Sequence, residues 1–442
     1  MPPTLTDAWH ATVARDPAAT AVIDGATAHV WSRRDMATAA EAWAEKHGGA
    51  ARWSGRRVLM AEPNGPRWFE VFLGLLQAGA VVVPADATEP ASALHAIAAE
   101  LKAAAIWHDG SLAPTTFSGQ RRTRRTDLCL VKLTSGSTGR PRARCFTHAQ
   151  MLADGAQVCG SMGIQPADIT LAIIPLGHSY GLGNLVMPLL AQGTSVLCSA
   201  SPLPQVVAAE CARWRPTVFP AVPTLLRALV RAEVDPAALA SLRLVISAGA
   251  ALEPDLATAF TSRFGRRVHS FYGSSETGGI TFDRTGEAAL TGRSVGTPLD
   301  GVALSFRAGA RFTVASAAVM APGCFSPPDR AMLTAEGELV LLGRVGRTLK
   351  VAGRRLDPVE VERALCALAG VRGASVLAHP DRPDALAAVV ATELNPTHLR
   401  AALSPTMAAW KIPKRIVVVA ELPTTSRGKL DSAAIRRLVC GR

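Results

Sequence analysis

The stretch LTSGSTGRPRARCFTHAQ, Leu133 to Gln150, concentrates hydroxyls, glycines and positive charge. Gly136 and Gly139 admit backbone angles that let consecutive N–H groups converge on an anion. Thr134, Ser135, Ser137 and Thr138 add hydroxyl donors, and Arg142 adds a fixed positive charge. Such a loop is built to hold phosphate. It is not a Walker loop, because no Gly-Lys-Ser/Thr follows and Pro141 stands where a helix would begin. Other polar clusters carry chemically able side chains. PLGHSYG holds His178, SAGAALEP holds Gly249 and Ala250, and FYGSSETGG holds Tyr272, Gly273, Ser275 and Glu276. Near the end, PTTSRGKLD presents Lys429 among small and polar residues, an environment that suits a mobile cation.

These clusters follow recognisable elements. RVLMAEP, AVVVPAD, ITLAIIP, TSVLCSA, PTVFPAV and LRLVISAG read as buried strands, each apolar and ended by Gly, Pro or a small polar residue. WFEVFLGLLQAG, QVVAAECARW and PTLLRALVRA read as helices between them. That alternation predicts an α/β fold whose parallel-rich sheets are covered by helices on both faces. Ligands of such sheets bind at the C-terminal ends of strands. The phosphate loop, PLGHSYG and SAGAALEP all stand there, and FYGSSETGG follows the expected strand RRVHSF. From GELVLLGRVGRTLKVAGRRLDPVEVERAL onward the pattern changes to a hairpin, a basic turn and a helix beginning near Asp357 and Pro358. GASVLAHP and KRIVVVAEL read as strands, followed by a basic tail helix. Two domains are expected: residues 1–345, and a small α+β domain over 346–442.

Composition bounds the function. The chain has 442 residues, 48% of them hydrophobic and 19% charged, which is globular rather than disordered. No apolar run reaches membrane-spanning length, and the N-terminus lacks a signal pattern. The eight cysteines include no C-x-x-C pair, an arrangement expected of a reducing cytoplasm and not of zinc or disulfide scaffolds. Of the net charge of +12, residues 346–442 contribute +8, from 16 basic and 8 acidic residues. An anionic partner is expected: a nucleotide, coenzyme A or an acidic carrier protein. No motif for nucleic-acid binding is found.

Read together, the motifs resemble those of the adenylate-forming acyl ligases: acyl- and aryl-CoA synthetases, luciferases and adenylation domains. TSGSTGRPR resembles their phosphate loop, YGSSETG their second signature, GRVGRTLKVAGRRLDPVEVE their interdomain signature and PTTSRGKLD the segment of their catalytic lysine. GRRVLMAEPNGPRWFEVFLGLLQAGAVVVPAD is similar to the early part of the fold, and the resemblance runs collinearly over nearly the whole chain. It implies attack of a carboxylate on the α-phosphorus of ATP, giving acyl-AMP and pyrophosphate, with magnesium on the triphosphate. Transfer of the acyl group to a thiol follows. Glu276 then corresponds to the metal ligand, Ser275 to the hydroxyl on the α-phosphate and Tyr272 to an aromatic stacked on adenine. Gly249 and Ala250 belong to the small-residue strip beside the base. Asp329 corresponds to the ribose-binding aspartate, with Arg344 near the ribose or phosphates. Lys429 bridges the substrate carboxylate and the α-phosphate, and His178 is a gate between acyl pocket and thiol tunnel.

The departures are also specific. Arg142 replaces the usual lysine, Gly346 the usual Asp or Lys hinge, and Pro327-Pro328 the Thr-Gly before Asp329. PLGHSYGLG lacks the aspartate that amino-acid-activating relatives use, which leaves aryl and fatty acids. Gly183, Ala221, Gly249 and Ile280 are candidates for the acyl pocket. The chain stops at Arg442 without a carrier domain, so coenzyme A or a phosphopantetheinyl carrier protein is expected in trans. Two other readings stay open: a degenerate, non-catalytic nucleotide- or acyl-binding relative, and an adenylate-former with a non-thiol acceptor.

Overall fold

The computed structural model describes residues 3–117, 127–135, 141–344, 349–351, 354–356, 358–405, 407–425 and 430–441. Each expected strand forms inside a sheet. In the first, Ala105–His108, Arg57–Ala61, Val81–Pro84 and Leu128–Ser135 run parallel, with Ser111–Pro114 and Pro141–Thr147 as antiparallel edges. The second has nine strands. Its parallel centre runs Val268–Ser274, Leu244–Ser247, Val218–Ala221, Ile169–Ala172, Ser195–Cys198 and Thr20–Asp24. Gly278–Phe282 folds back on Val268–Ser274 as an antiparallel hairpin, and Thr297–Pro298 pairs with it in turn.

The helix Pro66–Gln77 explains how the two sheets stack. Trp68, Phe69 and all of Val71–Leu76 are buried, so it is apolar around most of its circumference. One continuous core joins it to Val58, Met60 and Val82 of the first sheet and to Val22, Ala172 and Val196 of the second. The outer face of the first sheet packs on the helix Ala91–Leu101. The outer face of the second packs on the helices Pro204–Trp214, Pro223–Arg231 and Pro254–Phe264. Several of these helices begin with proline, which fits the first turn because no intrahelical donor is needed there.

Residues 303–344 form a further, five-stranded antiparallel sheet, of which the apolar runs announce only the last strand, Leu339–Arg344. Its strand Ala303–Arg307 is largely exposed, so the burial alternation that marks a strand is weak there. Beyond it, Val371–His379, Arg382–Thr392 and Arg415–Val419 build the C-terminal domain. Period-two alternation divides its core. Ala388 and Val390 face the helices Pro358–Cys366 and Pro396–Leu403, while Ala387 and Val389 face the basic tail helix Ser432–Cys440. Among the described residues, no helix is long and apolar enough to cross a membrane.

Candidate active site

The phosphate-loop segment leaves the strand Leu128–Ser135 and re-enters the same sheet as the antiparallel strand Pro141–Thr147, with Thr134 opposite Arg142. A Walker loop runs from strand to helix; here the helix His148–Met162 starts only after the return strand. Thr147 caps it in a reciprocal box with Gln150, and Gln150 Nε2 donates to the Val319 carbonyl at 2.8 Å. Gly136, Ser137, Thr138 and Gly139 lie outside the described residues, as do Gly346 and Lys429. The side chains of Thr134, Ser135, Arg142 and Arg344 are likewise outside the description. Thr424 and Leu430 form an antiparallel bridge on either side of Lys429.

The hairpin Val268–Ser274/Gly278–Phe282 positions Tyr272, Gly273, Ser275 and Glu276. Gly273 is required by a close approach, since a Cβ there would lie 2.5 Å from the Gly278 carbonyl oxygen. Thr277 is buried and its hydroxyl accepts from the Ser274 N–H, which closes the turn. The Met320 N–H donates to the Glu276 carbonyl at 3.0 Å and anchors the turn to the antiparallel sheet's neighbourhood. The Glu276 carboxylate accepts from Arg144 Nε at 3.2 Å. Ser275 is half-buried in the same turn.

Tyr272 and Asp329 are brought together from 57 residues apart: the tyrosine hydroxyl donates to Asp329 Oδ2 at 2.8 Å. Asp329 stands opposite Arg344 in the antiparallel register. Pro327 is buried beside this step. Gly249 and Ala250 are exposed just past Leu244–Ser247, the strand adjacent to Val268–Ser274, and Gly249 has φ +84°. Tyr272, Gly249, Ala250 and Asp329 thus share one end of the second sheet, with Glu276 at the hairpin turn.

His178 precedes the short helix Ser179–Gly181, which passes into a π-turn over Leu182–Val186. Asn64 clamps the segment before it, donating to the Ile174 carbonyl and accepting from the Leu176 N–H, both at 2.9 Å. Gly177 packs on Pro84 at the end of a first-sheet strand, so His178 stands where the two sheets meet. Of the acyl-pocket candidates, Gly183 and Ile280 are buried, as is Ala221, whereas Gly249 is exposed.

The sequence reading gave no role to a buried ion pair that ties these segments together. Lys132 Nζ lies 3.9 Å from Asp154 Oδ2, and both side chains are almost wholly buried. Asp154 Oδ1 accepts from the Gly279 N–H at 3.1 Å, three residues from Glu276. Asp154 also packs against Gly183, where a Cβ would meet Oδ2 at 3.0 Å. Lys132 completes its contacts over the Phe146 ring at 4.3 Å. Burial pushes the Lys132 ammonium down and the Asp154 carboxyl up; each charge opposes the shift of the other. The available signal was a lysine inside the otherwise apolar strand run CLVKL.

A carboxylate and a hydroxyl in one turn, a small-residue strip, and a tyrosine–aspartate pair stand together at one strand end of a parallel α/β sheet. The known proteins agree on the class. The AMP-binding enzyme model matches residues 9–117 and 107–306, and the AMP-binding enzyme C-terminal domain model matches 360–429. The chain belongs to the AMP-binding enzyme family. It is 27% identical to a feruloyl-CoA synthase of an Amycolatopsis species, over 95% of this chain and 96% of that protein. It is 29% identical to a benzoate–CoA ligase of Thauera aromatica, over 71% and 66%. Its fold matches the crystal structure of ATP-bound MatB from Rhodopseudomonas palustris with a TM-score of 0.85, at 19% identity and 98% coverage of both chains.

Proposed function

We propose that this protein activates an aromatic carboxylic acid with ATP to an acyl-adenylate and pyrophosphate, then passes the acyl group to the thiol of coenzyme A. The observation that carries this reading is the meeting of Tyr272, Asp329 and Glu276 at one end of the second sheet, with Arg144 of the phosphate-loop hairpin bonded to Glu276. The aromatic choice draws on the feruloyl and benzoate relatives and on the absence of an amine-pairing aspartate in PLGHSYGLG.

In this reading Tyr272 lies against the adenine while its hydroxyl steadies Asp329, which accepts from the ribose hydroxyls. Ser275 donates to the α-phosphate. Thr134 to Gly139 and Arg142 hold the β- and γ-phosphates, and Arg344 adds charge near the ribose. Glu276 is an oxygen donor in a site that already accommodates a cation, the Arg144 guanidinium, and so suits magnesium. When bound, magnesium neutralises phosphate charge as the carboxylate approaches. Lys429 joins the two anions, which otherwise repel each other. The small domain begins at Gly346 and swings about it between half-reactions, and His178 gates the thiol's approach. Unpaired cysteines and a thiol co-substrate suit the cytoplasm.

Pyrophosphate exchange across aryl, fatty and amino acids tests the first step, followed by addition of coenzyme A or a carrier protein. Lys429→Ala should lower adenylation by orders of magnitude while thiolysis of supplied acyl-AMP survives. Equal loss of both half-reactions would remove the role given to Lys429. Exchange confined to fatty acids would remove the aromatic assignment.

A further inference from the structure

Two basic residues of the phosphate-loop hairpin stand directly opposite each other. Lys132 and Arg144 are register partners, so their side chains leave the same face of the sheet. Lys132 turns inward to Asp154. Arg144 reaches Glu276, with side-chain exposures of only 24% and 14% for the two partners. Glu276 is the fixed member, because Met320 holds its carbonyl and the buried Thr277 locks its turn. Arg144 is the longer and more adaptable member, and lies two positions along the strand from Arg142.

A carboxylate this enclosed needs a counter-charge whenever no metal is bound. The guanidinium supplies it and occupies Oε1, an oxygen that a divalent cation would also seek. Two cations at one carboxylate repel each other, so both cannot stay. We propose that Arg144 is the resident counter-ion of Glu276, that the arriving magnesium–nucleotide complex displaces it, and that the freed guanidinium turns to the triphosphate. This rests on the nucleotide reading given above. Arg144 is a positioning residue until the exchange, and a phosphate ligand after it. Metal binding thereby depends on nucleotide, because only the triphosphate offers the displaced charge a new partner.

The test uses the full chain with Arg144→Val and, as a polar variant of similar length, Arg144→Gln. Manganese binding to the nucleotide-free protein, where the guanidinium holds Glu276, is read by electron paramagnetic resonance. Binding of a non-hydrolysable ATP analogue alone is read by calorimetry in EDTA. Removal of the guanidinium should tighten manganese binding by roughly threefold to tenfold, the scale of a partly exposed ion pair. It should weaken metal-free analogue binding by a similar factor. Manganese affinity that is unchanged or weaker in a folded variant overturns the proposal; if Arg144→Val fails to fold, Arg144→Gln decides by the same criterion. Unchanged metal-free binding removes the turn to the triphosphate. A wild-type chain that binds no analogue at all overturns the nucleotide reading itself, and this proposal with it.

Discussion

Asp168 gathers four bonds at the entry to the strand Ile169–Ala172. Arg243 donates through Nε at 2.8 Å and through Nη2, Thr217 Oγ1 donates at 2.7 Å, and the Gln165 N–H donates at 2.7 Å. Burial alone would raise its pKa, but the Arg243, Gln165 and Thr217 hydrogen bonds outweigh burial and hold the carboxyl below the usual carboxylate range. A folded-state value below the unfolded one means that this stabilisation is complete above about pH 4 and is lost as pH falls below it. Asp168→Asn should therefore cost about 2–3 kcal/mol at neutral pH, a charged-hydrogen-bond contribution. The wild type should lose melting temperature between about pH 5 and 3 more steeply than the variant. Parallel melting curves for the two proteins across that range would remove Asp168 from the acid response. The Lys132–Asp154 pair follows a different logic. Both partners are buried, so deleting either one strands a charge.

At the scale of elements, the segment carrying His178 is shaped by close backbone approach. A Cβ on Gly181 would lie 2.1 Å from the Pro175 carbonyl oxygen and 2.9 Å from Leu176 Cα. Neither atom belongs to a flexible side-chain end, so relief requires opening the turn between Pro175 and the π-turn. Gly181→Ala should destabilise the fold by about 1–3 kcal/mol, the cost of overpacking, and raise the Michaelis constant for the acid. Gly160→Ala provides the contrast. It lies inside the helix His148–Met162, where its Cβ would meet nothing nearer than Asp300 Oδ2 at 3.9 Å. It should gain about 0.5–1 kcal/mol from helix propensity. Thermal melts and acid-dependent kinetics of the two variants check the pair; equal effects would show that the turn at Gly181 has room to spare.

At the scale of the molecule, polar links join the C-terminal domain to the large one. They include the mutually exposed Arg231–Glu421 ion pair and a hydrogen bond from Arg363 to the Leu341 carbonyl at 2.5 Å. Exposed pairs of this kind contribute little, which suits the domain swing proposed above. The proposed hinge at Gly346 makes a specific demand on this motion. Gly346→Pro fixes φ near −65° and should slow thioester formation more than adenylation. Single-turnover measurement of each half-reaction checks this, and equal slowing of both would move the hinge elsewhere. The basic C-terminal domain, +8 over 97 residues, belongs to the same step. In the proposed thiol step its field should attract a phosphate-bearing donor, so the Michaelis constant for that donor should rise as salt shortens the screening length to about 8 Å and below.

The parallel strands and their order along the chain were determined by the sequence itself. Strands buried on both faces need unbroken apolar runs, and Gly or Pro ends them, so RVLMA, VVVP and LVIS announce themselves locally. The loops at their ends were legible for the same reason, since a polar motif beside such a run has a known place in the sheet. Of the antiparallel sheet at 303–344 only the last strand, Leu339–Arg344 in GELVLLGR, was legible in this way, because partly exposed strands such as Ala303–Arg307 need no apolar run. The return of the phosphate segment into a strand is likewise a matter of pairing, with Lys132 opposite Arg144. Tyr272 with Asp329, Asp154 with Lys132 and Gly279, and Arg144 with Glu276 are long-range contacts. Local pattern identifies Lys132 and Arg144 only as charges within strands, and charge in a strand ordinarily means a solvated face. Only the packing of the hairpin against the helix His148–Met162 and the Glu276 turn buried those charges and gave each a partner.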